Sequence, residues 1–173
     1  MEIQQTQIPL AVIALDLKST KEVILREGSL RKAVSASCAV PGIFPPIKMG
    51  AWELVDGGWI DRVPIRPARE MGADLVIAVN VAEELAEGED FATGLGIFLR
   101  AYNIAYCALS EYHLREADLV ISPDVSGVHW SDFGHFEECI RIGEEATREK
   151  LGDLRRLIRM KKLQKVFRLP WGR

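Results

Sequence analysis

Gly72-Ala73-Asp74-Leu75-Val76-Ile77-Ala78-Val79 is echoed further along the chain by Glu116-Ala117-Asp118-Leu119-Val120-Ile121-Ser122-Pro123. Each stretch follows a helical pattern and closes on a short apolar run rich in β-branched residues. Helix alternating with strand is the signature of an α/β fold with a mainly parallel sheet, not of a solenoid repeat.

Working outward, Leu95, Phe98, Leu99, Tyr102, Tyr106 and Leu109 lie between the two echoes at spacings of three and four. They predict a helix whose aromatic face packs on the sheet as core. Upstream, Ile8-Pro9-Leu10-Ala11-Val12-Ile13-Ala14-Leu15 is a continuous apolar run, as expected of a parallel strand buried on both faces. Asp16 to Lys21 supply a polar turn into a second strand at residues 22–26. The stretch from Ser29 to Ser37 predicts a helix with Ser29 as N-cap, stopped by the proline loop Pro41-Gly42-Ile43-Phe44-Pro45-Pro46. After Asp132 a last helix is predicted to about Ile158, packing through Phe136, Ile140, Gly143, Ala146, Leu151, Leu154 and Ile158 on the outside of the sheet.

The chain's 173 residues are enough for one domain or part of one. Its 22 basic and 25 acidic side chains give a net charge of −3, which argues against a nucleic-acid partner. Cys38, Cys107 and Cys139 are far apart with no C-x-x-C pair, so they suggest neither a metal framework nor a disulfide set and fit a reducing, cytoplasmic setting. The run from Ile8 is too short to span a bilayer and has no basic leader.

The sequence becomes specific in Ala33-Val34-Ser35-Ala36-Ser37-Cys38-Ala39-Val40-Pro41-Gly42-Ile43-Phe44-Pro45-Pro46, followed by Leu54-Val55-Asp56-Gly57-Gly58. A small-residue helix, a Pro-Gly-x-Phe-x-Pro loop and an Asp-Gly-Gly at a strand end, in this order, resemble the patatin-like phospholipase family. The resemblance runs on through Val63-Pro64-Ile65 and Gly72-Ala73-Asp74, and more loosely through Asp118–Pro123 and Gly143-Glu144-Glu145-Ala146. It implies an α/β domain with an open, mainly parallel sheet flanked by helices. Taken alone, Asp-Gly is also a common turn dipeptide; the flanking loop is what a generic turn does not explain.

The resemblance also implies a Ser-Asp dyad, in which Asp56, followed by the motif glycines Gly57 and Gly58, accepts the proton of a serine nucleophile acting on a lipid or other acyl ester. On its own terms the setting suits this role, because ligand sites of open α/β sheets lie beyond the carboxyl ends of strands. Two glycines there leave an approaching backbone unobstructed. The G-x-S-x-G elbow and the glycine-rich oxyanion loop of that chemistry are not among these residues. Ser35, Ser37, Ser126 and Ser131 lack the elbow spacing. The expectation is a C-terminal part of the domain, lacking the N-terminal strand and nucleophile-elbow units, a portion of at least about 60 residues. It would be inactive alone and completed by a front half or prone to self-association through an exposed sheet edge. The alternative is a catalytically dead patatin-like module that binds lipid or regulates. One departure from the family pattern is Arg62, where an asparagine often precedes the Val-Pro pair.

No metal or organic cofactor is implied. His129, Asp132 and His135 fit no zinc spacing, and His113 reads as a helix C-terminal residue. The predicted division is a hydrolase part over 1–154 and a basic tail over 155–173. In that tail Arg155, Arg156, Arg159, Lys161, Lys162, Lys165, Arg168 and Arg173 interleave with Leu157, Ile158, Met160, Leu163, Val166, Phe167, Leu169 and Trp171. It reads either as a segment that holds the protein peripherally on an anionic membrane or as a solvated helix end with a disordered tail.

Overall fold

Four residues, Leu17-Lys18-Ser19-Thr20, separate the first two strands, and that length dictates how they pair. The computed structural model describes residues 1–81, 93–128 and 132–167, apart from the side chains of Leu95, Leu99 and residues 164–167. It confirms the α/β class: a sheet of strands with helices. The chain divides into two units, Met1–Pro67 and Ala68–Arg173.

In the first unit β1 (Val12–Asp16) and β2 (Lys21–Leu25) form a hairpin, α1 spans Leu30–Ser37, and β3 (Ile47–Met49) and β4 (Trp52–Asp56) form a second hairpin. The order is β2-β1-β4-β3, and every pairing is antiparallel. This corrects the parallel strand expected from Ile8 to Leu15. An apolar run reports burial, which β1 has along most of its length, but it carries no information about the direction of the strands that flank it. The connection does: a parallel neighbour needs a crossover of a dozen or more residues, and four permit only a hairpin. The strand also begins later than expected, leaving Ile8 and Leu10 exposed. The β3–β4 hairpin turns through Gly50 and Ala51, with Gly50 at φ 60°, the positive value such two-residue turns require.

Ala33 and Ala36 bring α1 close to the sheet; both are fully buried and join Ile3, Ala14, Val23, Leu25 and Leu54 in one core. Ser29 holds the N-cap position with extended backbone, but its side chain makes no capping bond; its carbonyl accepts from the Ala33 amide at 3.0 Å. The chain start is tied in where Ile3 N donates to Gly28 O at 2.9 Å and Leu30 N to Met1 O at 3.2 Å.

Asp16 locks the β1–β2 turn to β4. Its side chain is buried, with Oδ1 accepting the Glu53 amide at 2.8 Å and the Lys18 amide at 3.4 Å, while Oδ2 accepts the Ser19 amide at 2.9 Å. Hydrogen bonding from the Ser19 side chain, opposed by burial and reinforced by those amides, holds the carboxyl down at about 2.

The α2 helix (Ile65–Glu70) crosses from the first unit into the second. The second unit contains β5 (Ile77–Val79), α3 (Gly94–Leu114), β6 (Leu119–Ile121) and α4 (Phe136–Phe167). Here the two echoed stretches do pair in parallel, Ile77 with Leu119 and Val79 with Ile121, across the α3 crossover. The α3 face divides differently from the expectation. Tyr102 and Tyr106 stack with centroids 5.7 Å apart and Tyr106 is buried, whereas Phe98 and Leu109 are 58% and 44% exposed. Spacings of three and four place residues on a broad face without saying which edge of it meets the sheet. The α4 helix is likewise longer than predicted and turned: Cys139, Ile142, Gly143, Ala146, Leu151, Leu154 and Leu157 are half-buried, while Phe136, Ile140 and Ile158 are exposed.

Asp118 fastens the second unit. Oδ2 accepts the Val76 amide at 2.8 Å and is paired with Arg69, and Oδ1 lies 3.2 Å from Lys161 Nζ. Burial pushes this carboxyl up, but the Val76 amide and the two cations outweigh it and lower the net value. Lys161, counted above in the basic tail, is therefore one of the ties of the fold.

The Asp16 carboxyl sits at 3.8 ordinarily and at about 2 when folded, so its stabilisation is complete above about pH 4 and is lost as pH falls toward about 2. Asp16→Asn is expected to lower the melting temperature at neutral pH, with the gap to the parent protein closing between about pH 4 and pH 2. Thermal melts across that range check it; a gap that is independent of pH would contradict the assignment.

Candidate active site

Asp56 is the last residue of β4, level with Ala14 of the central strand β1. Its backbone amide donates to Ala39 O at 3.0 Å, which ties the strand end to the segment just after α1. At Asp56 the chain leaves the strand (φ −48°, ψ 125°) and enters a short 3-10 turn, Gly57–Trp59, with Asp56 as its cap. Carboxylate Oδ1 accepts the Gly58 amide at 2.7 Å, leaving Oδ2 as the second acceptor of a half-buried side chain.

Space requires a glycine at position 57 and crowds a side chain at position 58. A Cβ on Gly57 would lie 2.2 Å from Ile13 O and 2.6 Å from Ile13 C, backbone atoms of the middle strand that cannot move aside without opening the sheet. A Cβ on Gly58 would meet Asp56 Oδ1 at 3.0 Å and press on the bond that orients the carboxylate. The Gly57 carbonyl then accepts the Ile60 and Asp61 amides at 3.0 and 2.9 Å, closing the turn over the buried Asp61.

Beside this strand end runs the loop after α1. Ile43 and Phe44 amides both donate to Val40 O, at 3.0 and 2.9 Å, and Gly42 takes φ 87°. The loop is thus fixed by its own backbone while the Ile43 and Phe44 side chains remain more than half exposed.

The three carboxylates at strand ends differ in how fully they are used. Asp16 accepts three backbone amides and Asp118 one amide and two cations, whereas Asp56 accepts one amide. The first two hold the fold together, and Asp56 has its Oδ1 alone engaged by a backbone amide. The Ala39 tie and the roles of Asp16 and Asp61 escaped sequence reasoning. An Asp followed three residues later by Ser at a strand end is the signal that could have found the Asp16 turn.

The other candidates have surroundings of their own. Ser35 is exposed and Ser37 half-buried on α1. Ser126 is engaged locally, its hydroxyl 2.6 Å from Asp124 Oδ1. His135 lies 3.0 Å from Glu138 Oε2 and 3.4 Å from Asp132 Oδ2, and hydrogen bonding to Glu138 followed by the Asp132 charge raises its pKa. His113 is half-buried in the last turn of α3. Among the described residues no group of three or more His, Cys, Asp or Glu side chains could hold a metal ion. His129 and Ser131 lie outside the described residues. No described helix is long and apolar enough to cross a membrane.

Comparison with known proteins singles out this same region. Residues 3–69, which contain β1 through Asp56-Gly57-Gly58, match the family described as Patatin-like phospholipase. This segment is patatin-like in sequence. A 79-residue stretch is 39% identical to an uncharacterized NTE family protein of Mycobacterium tuberculosis, covering 46% of this chain and 22% of that one. A second NTE family protein of the same organism is 27% identical over 166 residues, covering 80% of this chain and 28% of its own length. Mouse patatin-like phospholipase domain-containing protein 7 is 25% identical over 174 residues, covering 85% of this chain and 13% of its own. The chain therefore spans less than a third of each of these curated relatives, and the longer alignments extend the patatin-like similarity into the second unit.

Gly57→Ala is expected to destabilise the protein by on the order of 3 kcal/mol, because the added methyl meets strand backbone instead of a flexible side chain. Gly58→Ala should cost less. Denaturant unfolding of both variants checks the order, and equal stability of Gly57→Ala and the parent would contradict the close approach.

Proposed function

We propose that this chain contributes the proton acceptor of a patatin-like serine acyl hydrolase acting on a lipid or related acyl ester, and that Asp56 is that acceptor. The observation that carries the reading is the half-used carboxylate of Asp56, oriented by the Gly58 amide inside the family-matching segment.

The chemistry follows from what a carboxylate can do. A serine hydroxyl becomes a competent nucleophile when a base takes its proton as the Oγ–carbon bond to the acyl group forms. Asp56 Oδ2 would accept that proton. Collapse of the tetrahedral oxyanion would break the ester bond, and the departing alcohol would take the proton back from Asp56. A water molecule, deprotonated by the same carboxylate, would then release the fatty acid from the acyl-serine. The serine and the oxyanion donors would come from a part of a patatin-like domain outside residues 1–173. Gly57 and Gly58 serve by placing Asp56, and the exposed Ile43 and Phe44, on the loop that follows the Ala39 tie, offer apolar surface for an acyl chain.

Arg155, Arg156, Arg159 and Lys162 are exposed along the end of α4, together with Ile158, Met160 and Leu163. Residues 155–173 are proposed as a peripheral contact with an anionic membrane of the cytoplasmic face, the apolar side chains entering the interface and the cations meeting lipid phosphates.

Three measurements test these readings. In the full-length gene product, Asp56→Asn should lower kcat on a short-chain acyl ester by about 10²–10⁴-fold with little change in KM. A fluorophosphonate probe should leave residues 1–173 unlabelled. Undiminished turnover in Asp56→Asn, or a label on Ser35 or Ser37, would remove the dyad. Vesicles containing phosphatidylserine should bind the protein at low salt and release it at high salt, whereas equal binding to pure phosphatidylcholine would remove the electrostatic membrane contact.

A further inference from the structure

The α3 helix carries a second apolar stripe, on the side away from the buried Tyr106 and Ser110. Ile97, Ile104 and Tyr112 are each more than half exposed, and Ala101, Ala105 and Ala108 between them are exposed as well. At 3.6 residues per turn these six fall within about 50° of one direction on the helix, in a stripe about 22 Å long. Nothing in the proposed hydrolysis uses it.

The order of residues along the stripe identifies its partner. The steps from Ile97 to Ala101, Ile104, Ala105, Ala108 and Tyr112 read the same from either end. When two identical helices pack antiparallel about a two-fold axis, residues equally far from the centre lie level with one another. Centred between Ile104 and Ala105, that axis sets Ile97 against Tyr112 of the second copy, Ala101 against Ala108, and Ile104 against Ala105. Large therefore meets small at the middle, and the alanines allow the helix axes to approach closely.

The flanks agree. Arg100 and Glu111 project to one side of the stripe, about 90° and 70° from its centre, and Phe98 and Leu109 to the other. A two-fold axis keeps each side facing itself. Arg100 then lies about 3 Å along the axis from Glu111 of the second copy, and Phe98 is equally close to Leu109 of the second copy. Opposite charges meet on one flank and apolar side chains on the other. A parallel two-fold pair would instead turn the charged flank of each helix toward the apolar flank of the other.

We infer that α3 is the contact helix of an antiparallel, two-fold homodimer of this chain. Light scattering on the eluting peak of a sizing column should give twice the chain mass for the parent protein. Ile104→Glu should give the single-chain mass with an unchanged circular dichroism spectrum. Arg100→Glu and Glu111→Arg should each raise the dimer dissociation constant about tenfold, and the double exchange should restore it. Ala105→Cys, near the axis, should oxidise to a covalent dimer. A parent protein that is monomeric at tens of micromolar overturns the inference. So does a dimer indifferent to Ile104→Glu, or a double exchange no better than either single one. Flotation of a monomer with phosphatidylcholine vesicles, lost in Ile104→Glu, would assign the stripe to lipid and overturn it equally.

Discussion

The backbone of Gly57 lies against the carbonyl of Ile13 more closely than any side chain would allow. That approach is possible only because β1 occupies the middle of the antiparallel sheet and β4 pairs with it up to Asp56. A slip that brought Asp56 into this place would put a Cβ where only Gly57 now fits. The carboxylate of Asp56 inherits this rigidity, and the Gly58 amide fixes its remaining freedom. An active-site base is most useful when its position has been decided before substrate arrives.

The other two strand-end carboxylates show how the surrounding fold is kept in place. Asp16 draws the β1–β2 turn onto β4 through backbone amides, so the central pair of strands is clamped at the end opposite the Gly57 contact. Asp118 does the corresponding work in the second unit, joining Arg69, the amide before β5 and Lys161 of α4. Both are saturated with donors. A carboxylate so engaged is a poor proton acceptor, because taking a proton would cost it most of those bonds. Asp56 accepts a single backbone amide.

What the sequence made legible follows from where local chemistry is decisive. The α1 segment from Ser29 to Ser37, the parallel pair at Ile77–Val79 and Leu119–Ile121, and the strand-end place of Asp56-Gly57-Gly58 were readable from capping residues, apolar runs and the motif. Strand direction in the first unit was not, because it resides in two short connections, Leu17 to Thr20 and Gly50-Ala51, and not in the strands themselves. The faces of α3 and α4 were misjudged for a related reason. Both helices carry apolar residues on more than one side, and tertiary contacts such as Lys161 with Asp118 select the one that turns inward. The glycines were expected to clear the way for an incoming backbone; the structure shows that Gly57 first clears the way for Ile13.

The most direct test of the central claim is a crystal structure of the full-length gene product with its reactive serine still free. The account predicts Asp56 Oδ2 within about 2.6–3.2 Å of the serine Oγ, with Oδ1 still on the Gly58 amide. A carboxylate turned into solvent, with another base beside the serine, would contradict it.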